Sequence, residues 1–223
     1  MTGPRDPVFF ADAPAPSATP YLFPGHHSED EFALVAVALE RAATRAAATP
    51  DVSTAGLDAR LATMRQWIDA RVAATREAEV RLPLLRVAAR LGLGPVERDI
   101  VAALVAVEVE PRRLLVLTPP GGIPPTALSA AVLHHAVAAP GVSTARFVRE
   151  LIGPGGLLPR GIVTRADDPV PQFPTAAAPL RVGRGLIAAV LGTEGRDPLL
   201  DGVVARLGVT AEASASASAE RAR

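Results

Sequence analysis

The sequence predicts a mainly α protein with a small β-hairpin, an α+β chain in which an N-terminal helical arm leads into a second, more compact unit. Three observations predict it. Apolar residues recur every three or four positions through most of 28–152, the period of a helix with one buried face. Gly and Pro break that pattern at short intervals (Gly92, Gly94-Pro95, Pro111, Pro119-Pro120-Gly121-Gly122, Pro140-Gly141, Gly153), so the helices are short. From 157 to 182 the helical period disappears, and two strand-like runs flank a connection rich in Asp and Pro.

Residues 1–27, rich in Pro, Ala and small polar groups, read as a poorly ordered arm. A helix is expected from Ser28, which with Glu31 forms a capping box; Phe32, Val35 and Leu39 follow at helical spacing. A second helix is expected from Ser53 or Thr54, with Leu57, Leu61, Met64, Ile68 and Val72 in one apolar stripe. Together, 28–80 reads as a helical hairpin or arm. The second unit is expected over 81–202. Its first helix, 82–91, closes on Gly92 as a left-handed cap. Pro95 then opens a helix to about Glu108, because a proline at the first helical position loses no hydrogen bond. A short element at 112–117, a helix over 125–138 and a helix capped by Ser143 follow. Strands at 157–165 and 178–182 and a last helix at 183–191 complete it, and the Ser-Ala tail from about 203 to 223 reads as disordered. Short helices, then a hairpin, then a closing helix is the layout of a winged-helix domain.

Composition excludes several classes of function. The 223 residues hold no cysteine, which rules out disulfides, thiolate metal sites and cysteine nucleophiles, and fits a cytoplasmic location. All 23 basic residues are arginine. Without lysine there is no Schiff base and no Walker-type phosphate loop. The 23 acidic residues balance the arginines, so no global cation surplus drives nonspecific nucleic-acid binding. The most apolar run, 100–107, is too short to span a membrane, and no apolar export signal precedes it.

The segment Leu84-Leu85-Arg86-Val87-Ala88-Ala89-Arg90-Leu91-Gly92-Leu93-Gly94-Pro95-Val96-Glu97-Arg98-Asp99 resembles the region ahead of the ATPase core in AAA-type ATPases of bacterial contractile injection systems. In that family a leucine-rich helix, a Leu-Gly-Leu turn and a Glu-Arg-Asp helix start introduce a winged-helix-like module. Leu157-Leu158-Pro159-Arg160-Gly161-Ile162-Val163 resembles its first wing strand, and Pro179-Leu180-Arg181-Val182 with 187–192 its second strand and last helix. Asp197-Pro198-Leu199-Leu200 resembles its exit, so the likeness covers about 82–201. It implies a protein-docking role, with an AAA-type ATPase or another injection-system component as partner. The ATPase core itself is not carried over, since neither Gly153-Pro154-Gly155-Gly156 nor Gly121-Gly122 is followed by Lys and Ser or Thr.

No catalytic, cofactor or metal site is readable. His134 and His135 are adjacent on a helix and point about 100° apart, so they do not share a metal ion. Ser129 has no histidine one turn on; Glu108 and Glu110 read as a solvated pair at a helix end. Two surfaces remain. Leu61, Met64 and Trp67 on the second helix are the candidate protein interface, with core or hairpin packing the default for Trp67, which adjoins the 64–68 stripe. Arg146 and Arg149 on the 143–152 helix, with Arg160 and Arg165 on the first wing strand, are the candidate nucleic-acid contacts of the alternative reading, a winged-helix transcriptional regulator. Asp167 and Asp168 at the expected wing tip disfavour that alternative. The leading expectation is a noncatalytic protein-binding adaptor.

Overall fold

The computed structural model describes residues 19–47, 53–78, 80–139, 141–166 and 176–193. Its elements are α1 (Pro24–Ala46), α2 (Ala55–Glu77), α3 (Pro83–Arg90), α4 (Pro95–Val109), a 3-10 helix (Pro111–Leu117), β1 (Leu128–Ser129), α5 (Ala130–Val137), α6 (Thr144–Ile152), β2 (Val163–Arg165), β3 (Pro179–Val182) and α7 (Arg184–Leu191). Residues 1–18 of the expected arm, the Asp167 and Asp168 wing tip and the expected 203–223 tail lie outside the described residues.

The strands form one antiparallel sheet in the order β1-β3-β2. Val163 faces Val182 and Arg165 faces Leu180 in the hairpin, while Leu128 faces Leu180 on the other edge. Helix, short strand, two helices, hairpin: α4-β1-α5-α6-β2-β3 is a winged-helix arrangement, mainly helical with a small sheet as the sequence predicts. β1 was not expected, because two residues carry no readable period. It exists by pairing with β3, and Ser129 then serves as N-cap of α5, accepting from the Val132 N–H at 3.3 Å. The first wing strand is shorter than the expected 157–165. Residues 157–162 turn through Gly161, whose φ of +68° suits glycine.

Local signals hold well in the middle of the chain. Gly92 takes the left-handed cap (φ +59°), and the Leu93 N–H reaches back to the Ala88 carbonyl at 2.8 Å. Pro95 opens α4, where Glu97 Oε2 accepts from the Gly94 N–H at 2.9 Å. Residues 100–107 are buried on every side, which makes α4 the central helix of the main core.

The N-terminal half departs from expectation. α1 begins four residues before Ser28, at Pro24, where a missing N–H costs nothing. Ser28 and Glu31 therefore lie inside the helix and form no capping box; the Ser28 hydroxyl donates to the Val190 carbonyl at 3.4 Å instead. The segment before the helix is ordered from residue 19. Tyr21 is fully buried, its N–H bonded to Thr75 Oγ1 (2.8 Å) and its hydroxyl to Asp30 (2.9 Å). Burial, then the Asp30 charge, pushes that phenol far above its ordinary value. Nor does α1 stand apart as an arm. Phe32, Val35, Leu39 and Ala42 enter the main core with α4 and α5, while Leu34 and Val37 join Met64, Ile68 and Val72 of α2 in a second core.

Candidate functional site

Three polar regions interrupt this apolar framework. The first is the α5–α6 corner. Ser143 caps α6 by accepting from the Arg146 N–H at 3.3 Å, and Phe147 and Leu151 anchor the helix in the core. His134 ties the corner together. Its Nε2 is 2.6 Å from the Val142 carbonyl, which can only accept, so Nε2 carries the proton and Nδ1 accepts from the Thr144 hydroxyl at 3.1 Å. His135 stacks edge-on against it, and burial, with the neighbouring His134, lowers its pKa. The pair thus does structural work on the turn. Replacing His134 by Phe should cost about 1–3 kcal/mol in urea unfolding, since it leaves the Val142 carbonyl without its donor. Among the described residues no three His, Asp or Glu side chains gather as a metal site.

The outward face of α6 presents Arg146, Arg149 and Glu150. Arg146 is held by Glu150 at 2.9 Å, one turn along the helix, which leaves Arg149 as the face's surplus charge. Arg165 lies half-buried on β2. Arg160 is displaced from the expected wing strand into the turn before it. Its guanidinium donates to the Leu91 carbonyl and lies 3.4 Å from Glu97, linking that turn to the α3–α4 corner. Of the four arginines that sequence reading gathers for nucleic acid, the fold commits one internally and neutralises another.

The second region is a charged seam joining α1, α2 and α4. Arg65 Nη1 donates to both oxygens of Glu31 (2.9 and 3.2 Å), and Nη2 donates to Asp99 at 2.9 Å; Arg98 approaches Asp99 at 3.3 Å. Glu31 is 1% exposed. Burial alone would raise its carboxyl, but the His27 and Arg65 contacts outweigh it and hold the pKa below the ordinary value. His27 Nε2 lies 3.5 Å from Glu31, within ion-pair range yet outside hydrogen-bond geometry. Asp99 goes the other way: burial raises it, and Arg65 and Arg98 only partly compensate. A salt-bridge cluster this deep reads as an interhelical lock. It holds the α2 stripe inward, so the expected interface residues do not stand free. Met64 is 4% exposed, and Leu61 packs against both cores. Trp67 packs on the second core, with the Arg71 guanidinium 4.7 Å from its ring centre and 3.9 Å from that of Tyr21.

The third region is one that sequence reasoning missed. Between the last turn of α2 and α3 lies an open groove of about 600 Å³. Val72, Val80, Leu82 and Leu85 form its apolar walls, and Arg76, Arg81 and Arg86 its rim. Arg81 and Arg86 also border a second hollow of about 570 Å³ with Arg90, Val87 and Leu191. The four arginines are exposed and have no carboxylate partner among the described residues. Their spacing is visible in the sequence; which described carboxylates come near them is a tertiary property.

The topology is that of a winged-helix-like fold, a class that serves both DNA and protein partners. A family model described as a winged helix domain, variant, matches residues 11–116, a span that takes in α1–α4 and most of the 3-10 helix and ends ahead of β1. Comparison with curated proteins and with solved structures gave no significant match. Among the described residues no helix is long and apolar enough to cross a membrane.

Proposed function

We propose that this chain is a noncatalytic, cytoplasmic protein-binding adaptor or assembly component, linked to a contractile injection system or its AAA-type ATPase. The observation that carries the protein-binding part is the contrast between two arginine sets. Those placed for nucleic acid are partly consumed, Arg160 inside the fold and Arg146 by Glu150. Those around the α2–α3 groove have no carboxylate partner among the described residues and lie beside an apolar floor, the composition of a protein interface and not of a phosphate track. The injection-system link rests on the resemblance of 82–201, above all the Leu-Gly-Leu to Glu-Arg-Asp block.

A transcriptional regulator is the second reading, favoured by the position of α6 in the topology and by the exposed Arg149. Affinity capture of the tagged full chain from its native cells, with and without nuclease, separates the two. Nuclease-resistant recovery of sheath, baseplate or AAA-type ATPase subunits is the expected result. Recovery of DNA and transcription proteins that disappears after nuclease treatment would overturn it in favour of the regulator.

A further inference from the structure

We propose that the α2–α3 groove binds an acidic helical segment of a partner protein, seated by apolar anchors on the groove floor and by carboxylates on its arginine rim. The inference rests on the protein-binding reading above and names the surface and the chemistry of what it takes.

Charge is the first argument. Residues 76–90 carry Arg76, Arg81, Arg86 and Arg90 against Glu77 and Glu79, so four positive and two negative charges leave +2 in a chain whose total is zero. Elsewhere Arg41, Arg65, Arg71, Arg98 and Arg160 each hold a carboxylate. Around the groove no carboxylate among the described residues offsets the arginines. Arg86 and Arg90 are like charges one helical turn apart on α3. Arg81 and Arg86 also flank the start of α3, the positive end of its dipole, and its first turn holds no acid. An incoming carboxylate relieves both repulsions.

The floor is the second argument. Val72 and Leu82 are buried and belong to the second core, so the surface is backed by packed side chains and has a fixed shape. Thr75, the polar residue on that floor, is already satisfied: its hydroxyl donates to the Arg71 carbonyl (2.6 Å) and accepts from the Tyr21 N–H (2.8 Å). The occupant therefore meets apolar carbon in the middle and guanidinium at the edge, which matches an amphipathic helix with apolar residues at i, i+3 or i+4, and i+7. Nucleic acid fits less well, since among the described residues no aromatic side chain lines either hollow to stack a base.

Selection of random peptides of about four helical turns on the full chain tests this directly. Enriched peptides should combine Asp or Glu with Leu, Ile or Phe at helical spacing. Their affinity should fall about tenfold or more on the Arg81→Glu/Arg86→Glu chain and weaken with added salt. Both side chains are exposed, so thermal melting should stay unchanged; if it does not, Arg81→Gln/Arg86→Gln gives the same comparison without charge reversal. Failure to enrich any peptide, enrichment of peptides without acids, binding retained on the variants, or displacement by duplex DNA at equal charge would each overturn the proposal. If the variant chain still captures its native partners after nuclease treatment, this groove is the wrong surface while the adaptor reading stands. Nuclease-sensitive capture by the wild type overturns the adaptor reading itself.

Discussion

Arg65→Met should lower the unfolding free energy by about 3 kcal/mol, the low end of the cost of breaking a buried ion pair by removing one partner. Arg65 is itself 23% exposed, but the group it leaves behind is not: Glu31, 1% exposed, loses the Nη1 donor to both its oxygens. Asp99 would keep only Arg98. Urea unfolding at neutral pH reads the loss, and Glu31→Leu on the same background should recover much of it, because an apolar pair in place of a buried ion pair is often neutral. Acid gives a second readout. A carboxyl held below its ordinary value of about 4.3 contributes stability that is complete above that value and fades as pH falls through the folded pKa. The gap between wild type and Arg65→Met should therefore close below about pH 4. Asp99, raised by burial, loses stabilisation as pH rises, and because Arg65 also holds it, its share of the gap between the variants closes in the same acid direction. A gap independent of pH would show that Glu31 is not the stranded group.

Leu104→Ala should cost about 2–5 kcal/mol. Leu104 is 2% exposed at the centre of α4, and α4 packs against α1, α5, β3 and α7 at once. A cavity in a helix packed on several elements is hard to close by moving one of them. Leu115 on the 3-10 helix supplies the control. It is 59% exposed, and Leu115→Ala should fall within about 0.5 kcal/mol of wild type. Equal losses at the two sites would contradict the central position of α4.

Most of the fold was legible where short-range chemistry decides it. Gly92, Pro95 and Ser143 mark helix ends through one residue's own backbone preference or hydroxyl, and the structure places those ends within a residue or two of expectation. The start of α1 was not legible, because Pro24 and the Ser28–Glu31 pair both satisfy start rules and only packing selects between them. Buried against Val190 and Arg65, Ser28 and Glu31 are core residues that look like caps. The candidate sites were less legible for a related reason. An apolar face such as that of Met64 and Trp67 serves an interface or a core equally, and here it packs in the second core. Arg160 looked like a surface cation until the turn before β2 carried it back to Leu91 and Glu97.

The sequence by itself determined the class of this protein: short helices closed by glycine and proline, a hairpin after them, and no cysteine or lysine with which to build several kinds of catalytic site. These properties are local or compositional and need no partner in space. Tertiary structure alone decided that α1 belongs to the main core, that a two-residue β1 exists, and which arginines hold a carboxylate among the described residues and which do not. Each of those depends on groups far apart in the chain meeting at a few ångströms, where burial and charge pairing set the energy and no periodicity records the meeting beforehand.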